Sequence, residues 1–154
     1  MTANMLEPVQ MNDFRRQWEA TSSAVLGAVR SVGESGWYVL GREVSGFESA
    51  LAARIGVRHA IGCANGLDAI ELGLRAKGLR PGQKVLTTPL SAFATTLAIL
   101  RAGGVPVFVD VDATGLVDLD RAAALLEQDS SIRFFVPVHL FGHALDLDQL
   151  QEMT

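Results

Sequence analysis

Lys84-Val85-Leu86-Thr87-Thr88-Pro89-Leu90-Ser91-Ala92-Phe93-Ala94-Thr95-Thr96 is the stretch on which the fold turns. Its first five residues have the apolar and β-branched character of a buried strand, and Pro89 stops it. Ser91 then reads as the cap of a helix running to Arg101, ended by Gly103-Gly104. The alternation continues downstream. Residues 105–109 read as a strand that Pro106 weakens at its start, and Asp118 caps a helix over 119–127. Residues 134–138 read as a further strand, and 145–153 begin one more helix. Upstream, Ala60-Ile61-Gly62-Cys63 reads as a short buried strand, and 66–77 as a helix with Ala69, Ile70 and Leu74 on one face. Such alternation predicts βαβ units: an α/β fold with a mostly parallel sheet and helices on its faces. Ligands in that architecture bind at the carboxyl ends of the strands, which singles out the positions just past Cys63, Thr88, Asp110 and Val138.

Before residue 60 the pattern is helical. Phe14, Trp18, Val25, Val29 and Val32 recur at helical spacing over residues 11–32, and Gly33-Glu34-Ser35-Gly36 stops the run. Trp37-Tyr38-Val39-Leu40-Gly41 is a short apolar segment. Val44, Phe47, Leu51 and Ile55 form the stripe of a second helix that Gly56 ends. Residues 1–10 read as a loose lead-in.

Length and composition bound the function classes. The chain has 154 residues, 49% hydrophobic and 19% charged, which is a globular composition. Thirteen basic against seventeen acidic side chains leave a net charge of −4, unlike the basic face of a nucleic-acid binder. No apolar run reaches the roughly 18 residues of a membrane span, and the amino-terminal residues 1–12 lack the pattern of a secretory signal. The single cysteine, Cys63, excludes an intramolecular disulfide and suits a reducing compartment; it reads as a small buried hydrophobe. The expectation is a soluble, cytoplasmic chain.

Three motifs carry chemistry. Ala64-Asn65-Gly66-Leu67-Asp68-Ala69 joins a predicted strand to a predicted helix. Taken alone it reads first as an ordinary turn capped by Asn65. A glycine turn at a helix N-terminus also lets backbone N–H groups and the helix dipole meet a phosphate. Pro89 to Thr96 starts a helix at a strand's carboxyl end, with Phe93 in its first turn. Phe93 is either core or a ring that stacks on a flat ligand, and Thr95 and Thr96 either cap the helix or offer hydroxyls. Pro137-Val138-His139-Leu140-Phe141-Gly142 places His139 past a strand, either as a structural histidine held by backbone or as an acid–base group. Gly142 argues against a helical metal pair of His139 and His143. Asp110, Asp112, Asp118 and Asp120 lack calcium-loop spacing and read as a solvated turn with a helix cap. No metal site is assigned.

Together these pieces resemble the DegT/DnrJ/StrS family of pyridoxal-phosphate-dependent sugar aminotransferases. The resemblance runs from Gly36-Trp37-Tyr38-Val39-Leu40-Gly41 and Phe47-Glu48 through Asn65-Gly66-Leu67-Asp68-Ala69 and Pro89 to Thr95. It continues through Pro106 to Asp112 and ends with Pro137 to Gly142. It implies the amino-terminal part of the fold-type-I aminotransferase large domain. Residues 1–35 would be a lead-in and helix, and 36–154 an incomplete cofactor-binding domain that stops before the Schiff-base lysine and the carboxyl-terminal domain.

The implied chemistry is amino transfer from glutamate to a nucleotide-linked keto sugar, in a homodimer. The resemblance assigns the cofactor phosphate to the turn at Asn65, Gly66 and Leu67, and the cofactor ring to Phe93. It assigns the substrate side to Trp37 and Tyr38, and gives His139 a motif position without a proton-transfer role. Leu67 stands where many members have Thr, a variant similar to that of 3-aminotransferases acting on deoxy sugars. The chain has two lysines, Lys77 and Lys84, and neither resembles the Schiff-base lysine. The expectation is that these residues alone are inactive. A pyridoxal-dependent sugar dehydratase on the same scaffold, or a non-catalytic binding or regulatory remnant, remain alternatives.

Overall fold

The computed structural model describes residues 10–153. The contacts divide the chain into two compact units, Met1–Gly62 and Cys63–Thr154. The lead-in expected over residues 1–10 lies, apart from Gln10, outside the described residues.

The first unit is helical. Helix α1 spans Arg15–Ser35 and ends where Gly36 takes φ 65°, a left-handed conformation that glycine adopts without a Cβ penalty. It starts four residues later and ends three later than the apolar spacing suggests. Gly33 and Ser35 lie inside its last turn, where the Ser35 hydroxyl donates to the Val32 carbonyl. Helix α2 spans Arg42–Ile55, and Gly56 ends it at φ 79°. Between them, Leu40 holds φ 51°, a rare backbone for a branched side chain. A Cβ on Gly41 would come within 2.9 Å of the Trp37 carbonyl oxygen, so this turn needs glycine.

The expected strand at Ala60-Ile61-Gly62-Cys63 is absent. A parallel strand needs a hydrogen-bonding neighbour, and no described strand pairs with this segment. Its Gly62 N–H instead donates to the Glu48 carboxylate at 2.6 Å. Ile61 and Cys63 are exposed, so Cys63 is not the buried hydrophobe its small apolar side chain suggests.

The second unit is a three-stranded parallel sheet with helices. Its elements are α3 (Gly66–Ala76), β1 (Lys84–Thr87), α4 (Phe93–Arg101), β2 (Val105–Phe108), α5 (Leu119–Gln128), β3 (Ile132–Phe135) and α6 (Leu147–Glu152). The strand order is β2-β1-β3, with β1 central. The pleat sends alternate side chains of β1 to opposite faces. Val85 packs with Leu74, Leu79, Ile99 and Ala102, the side of α3 and α4. Leu86 packs with Val117, Leu119, Ala122 and Ile132, the side of α5 and α6. Val85, Leu86 and Ile99 are completely buried, each worth roughly 1.5–3 kcal/mol of hydrophobic transfer. Gly104 sits where a Cβ would meet the side chains of Ile99, Leu79 and Val85, each at 3.1 Å, so the chain passes close under this layer.

Several element ends differ from the sequence reading, β3 stopping at Phe135 and α6 spanning only Leu147–Glu152, and two of the differences have a clear local cause. Strand β3 begins two residues earlier than expected, because a bulge between Lys84 and Val85 pairings lets Arg133 pass without breaking the ladder. The ladder's last bond, from Val136 N–H to the Leu86 carbonyl, lies just past the strand. Ser91 is not the cap of α4: that position belongs to Ala92, which makes no side-chain bond. The Ser91 hydroxyl shares a hydrogen bond with the Thr95 hydroxyl at 2.7 Å instead. Asp118 does cap α5, accepting from the Arg121 N–H.

Candidate functional site

The amino terminus of α3 is built by Asn65. Its backbone is extended at φ −164°, and its side-chain oxygen accepts from the Asp68 N–H at 2.9 Å. Its amide nitrogen donates to the Asp68 carboxylate at 3.1 Å. The first intrahelical bond runs from the Ala69 N–H to the Asn65 carbonyl. The N–H groups of Gly66 and Leu67 therefore precede the helical ladder and point out of the helix end, where the dipole favours an anion. Gly66 is exposed, and a Cβ on it would meet nothing within 4 Å, so the space beside this turn is open.

Helix α4 begins at the carboxyl end of β1. Thr87 and Thr88 are buried there, the Thr87 hydroxyl donating to the Val136 carbonyl at 3.0 Å and that of Thr88 accepting from the Leu90 N–H. Phe93, in the first turn, is 73% exposed and is not part of the core. Thr95 is buried with its hydroxyl committed to Ser91.

Helices α3 and α4 pack against each other, and charges tie them together. Arg101 places Nε 2.8 Å from the Glu71 carboxylate and a terminal nitrogen 3.2 Å from the Asp68 carboxylate. Arg75 reaches the other Glu71 oxygen at 3.0 Å and donates to the Arg101 carbonyl at 2.6 Å. The sequence reading passes over Arg101. Its only signal is the spacing of Asp68, Glu71 and Arg75, which puts three charges on one face of α3.

His139 is a structural histidine. Its Nδ1 accepts from the Leu145 N–H at 3.0 Å, which places its proton on Nε2. Leu140 and His143 close a tight turn over Phe141 and Gly142, at φ 53° and 80°, the left-handed pair that such turns require. Asp112 accepts from the N–H and hydroxyl of Thr114, and Asp120 from the side chain of Gln149, so these aspartates serve the turn and neighbouring helix. Among the described residues there is no group of three or more His, Cys, Asp or Glu side chains that would hold a metal ion. No described helix is long and apolar enough to cross a membrane.

Lys77 closes the carboxyl end of α3, opposite Gly66. Lys84, at the amino end of β1, lies 2.6 Å from the Asp129 carboxylate. That ammonium, helped by Ser131, holds the Asp129 carboxyl down to about 2. In the first unit, Trp37 and Tyr38 are 58% and 70% exposed, and the Trp37 indole donates to the Val39 carbonyl at 2.8 Å.

The parallel α/β layer is that of the fold-type-I aminotransferases, the class of the solved structures it matches. Residues 20–154 match the DegT/DnrJ/EryC1/StrS aminotransferase family, and the chain belongs to it. It is 38% identical over 145 residues to a "pleiotropic regulatory protein" of Geobacillus stearothermophilus, covering 92% of this chain and 38% of that one. It is 36% identical to the dTDP-3-amino-3,4,6-trideoxy-alpha-D-glucose transaminase of Micromonospora megalomicea, covering 90% of this chain and 37% of the relative. The crystal structure of NtdA from Bacillus subtilis, with bound cofactor PMP, superposes with a TM-score of 0.87 at 29% identity, over 99% of this chain and 35% of that one. The chain thus spans well under half the length of the relatives it matches.

Proposed function

We propose that this chain carries the cofactor-binding part of a pyridoxal-phosphate-dependent aminotransferase that moves an amino group from glutamate to a nucleotide-linked keto sugar. The carrying observation is the open amino terminus of α3, its side-chain cap already committed to Asp68, in a helix packed against the one that presents Phe93. The donor set fits the group. The Gly66 and Leu67 N–H groups supply what a phosphate dianion needs, and Asn65 holds that turn in shape. Leu67 brings no hydroxyl, so the seat relies on backbone donors. Phe93 offers an uncovered ring face to a flat heterocycle. When bound, pyridoxal phosphate supplies the electron sink for amino transfer. Trp37 and Tyr38 contribute to the sugar side. Residues 36–154 form the large-domain portion, and the enzyme works as a cytoplasmic homodimer.

The reading is supported by the family match and by the sugar transaminase named among the relatives. It includes an inference about the lysines. Lys77 lies at the far end of α3 and Lys84 is held by Asp129, so neither serves as the amine that anchors the cofactor. Residues 1–154 by themselves do not turn over. The test is incubation of this chain with pyridoxal phosphate, glutamate and a dTDP-linked keto sugar. No amino sugar is expected beyond background; repeated turnover contradicts the inference.

The regulatory name of the Geobacillus relative favours a second reading, a cofactor-binding protein without chemistry. The longest product of the gene, purified from its source, separates the two: glutamate-dependent conversion of the bound cofactor supports the aminotransferase, and binding without conversion supports the alternative.

A further inference from the structure

We propose that Arg101 is a positioning residue for the phosphate seat, acting through Asp68; this rests on the reading of the α3 amino terminus given above. Asp68 presents a problem to that seat. It is the third residue of the helix, one position beyond Leu67, and its carboxylate stands in the same turn as the N–H groups meant for a dianion. Left alone, its charge would repel the ligand. Two groups hold it. The Asn65 amide donates to one carboxylate oxygen at 3.1 Å, and the Arg101 guanidinium lies 3.2 Å from the other.

Arg101, half-exposed, makes two further contacts. Its Nε is 2.8 Å from Glu71, whose side chain is only 13% exposed, and its carbonyl accepts from Arg75 at 2.6 Å. It stands in the last turn of α4, where a cation complements the helix dipole. The planar fork of an arginine can face two carboxylates one helical turn apart, which a lysine ammonium does less well. One side chain therefore does two things. It offsets the Asp68 charge beside the anion seat, and it locks the first turn of α3 to the helix that carries Phe93.

The experiment titrates inorganic phosphate, and separately pyridoxal 5′-phosphate, into the 154-residue chain. Binding is read from the amide NMR shifts of Gly66 and Leu67 rather than from activity. Arg101→Met is expected to weaken phosphate roughly tenfold. Asp68→Asn in that background is expected to restore binding to within about twofold, and Asp68→Asn alone to tighten it severalfold. A purely structural Arg101 predicts no such rescue. Equal binding by wild type and Arg101→Met, or a double variant as weak as Arg101→Met, overturns the proposal and leaves the seat standing. Should circular dichroism show Arg101→Met unfolded, Asp68→Asn alone decides: tighter binding supports the proposal, and unchanged binding overturns it. Wild-type amides that ignore both ligands overturn the seat itself and the proposal with it.

Discussion

The two compact units treat their apolar residues in opposite ways. In residues 63–153 the sheet and its helices bury Val85, Leu86, Ala98, Ile99 and Ala122 completely. Among the described residues of the first unit only Gly41 and Ala52 are buried, and α1 buries none of its residues. Phe14, Trp18, Val25 and Val29 stay exposed although they repeat at helical spacing. A periodic stripe thus specifies a helix without specifying what covers it. Burial in the second unit comes from β1, which is central and shares each face with helices.

The largest expected effect tests that contrast with one substitution made twice. Leu86→Ala removes a fully buried side chain and should cost about 2–5 kcal/mol. Leu26→Ala, at a site 58% exposed, should stay within about 0.5 kcal/mol. Urea unfolding followed by circular dichroism measures both, and equal costs would erase the distinction between the units.

The first unit is not uniformly tolerant. Gly41→Ala forces a Cβ to 2.9 Å from the Trp37 carbonyl oxygen, and relief should cost about 1–3 kcal/mol. A shift in Trp37 fluorescence should accompany the loss. A variant of wild-type stability and unchanged emission would show that the turn has slack.

The smallest effect lies in the second unit and depends on pH. Lys84, the stronger influence, and Ser131 depress the Asp129 carboxyl to about 2 from the ordinary 3.8. A carboxyl depressed in the folded state adds stability above the ordinary value, and that contribution is lost as pH falls through about 2. The pair is solvent-exposed, so the contribution is small. Asp129→Asn should flatten the dependence of unfolding on pH between roughly 4 and 2 and leave stability near pH 7 little changed. An unaltered acid slope would mean that the contact with Lys84 does not persist in solution.

Much of the fold was legible. Gly36 and Gly56 mark real helix ends, Asp118 is a real cap, and Pro89 follows a real strand. The misses share a cause: local pattern does not report on neighbours. Ala60 to Cys63 looks like a strand, yet a strand exists only where another pairs with it. Arg133 looks foreign to a strand, yet a bulge carries it. Ser91 looks like a cap, yet Thr95 takes its hydroxyl. At the candidate site, Asn65 and Gly66 were legible because capping is local. The exposure of Phe93 was not, because an aromatic in a first turn suits either core or ligand. Arg101 left only the charge spacing of α3 as a sign, because its partners Asp68 and Glu71 lie far away in sequence.

The central claim is that the amino terminus of α3 holds a cofactor phosphate while Phe93 meets the ring. It is tested most directly by comparing pyridoxal 5′-phosphate with pyridoxal, which lacks the phosphate, on the same chain by NMR. The account predicts that the Gly66 and Leu67 amides and the Phe93 ring protons all respond to pyridoxal 5′-phosphate, and that the amides do not respond to pyridoxal. Amides that respond equally to the two compounds, or to neither, would contradict it.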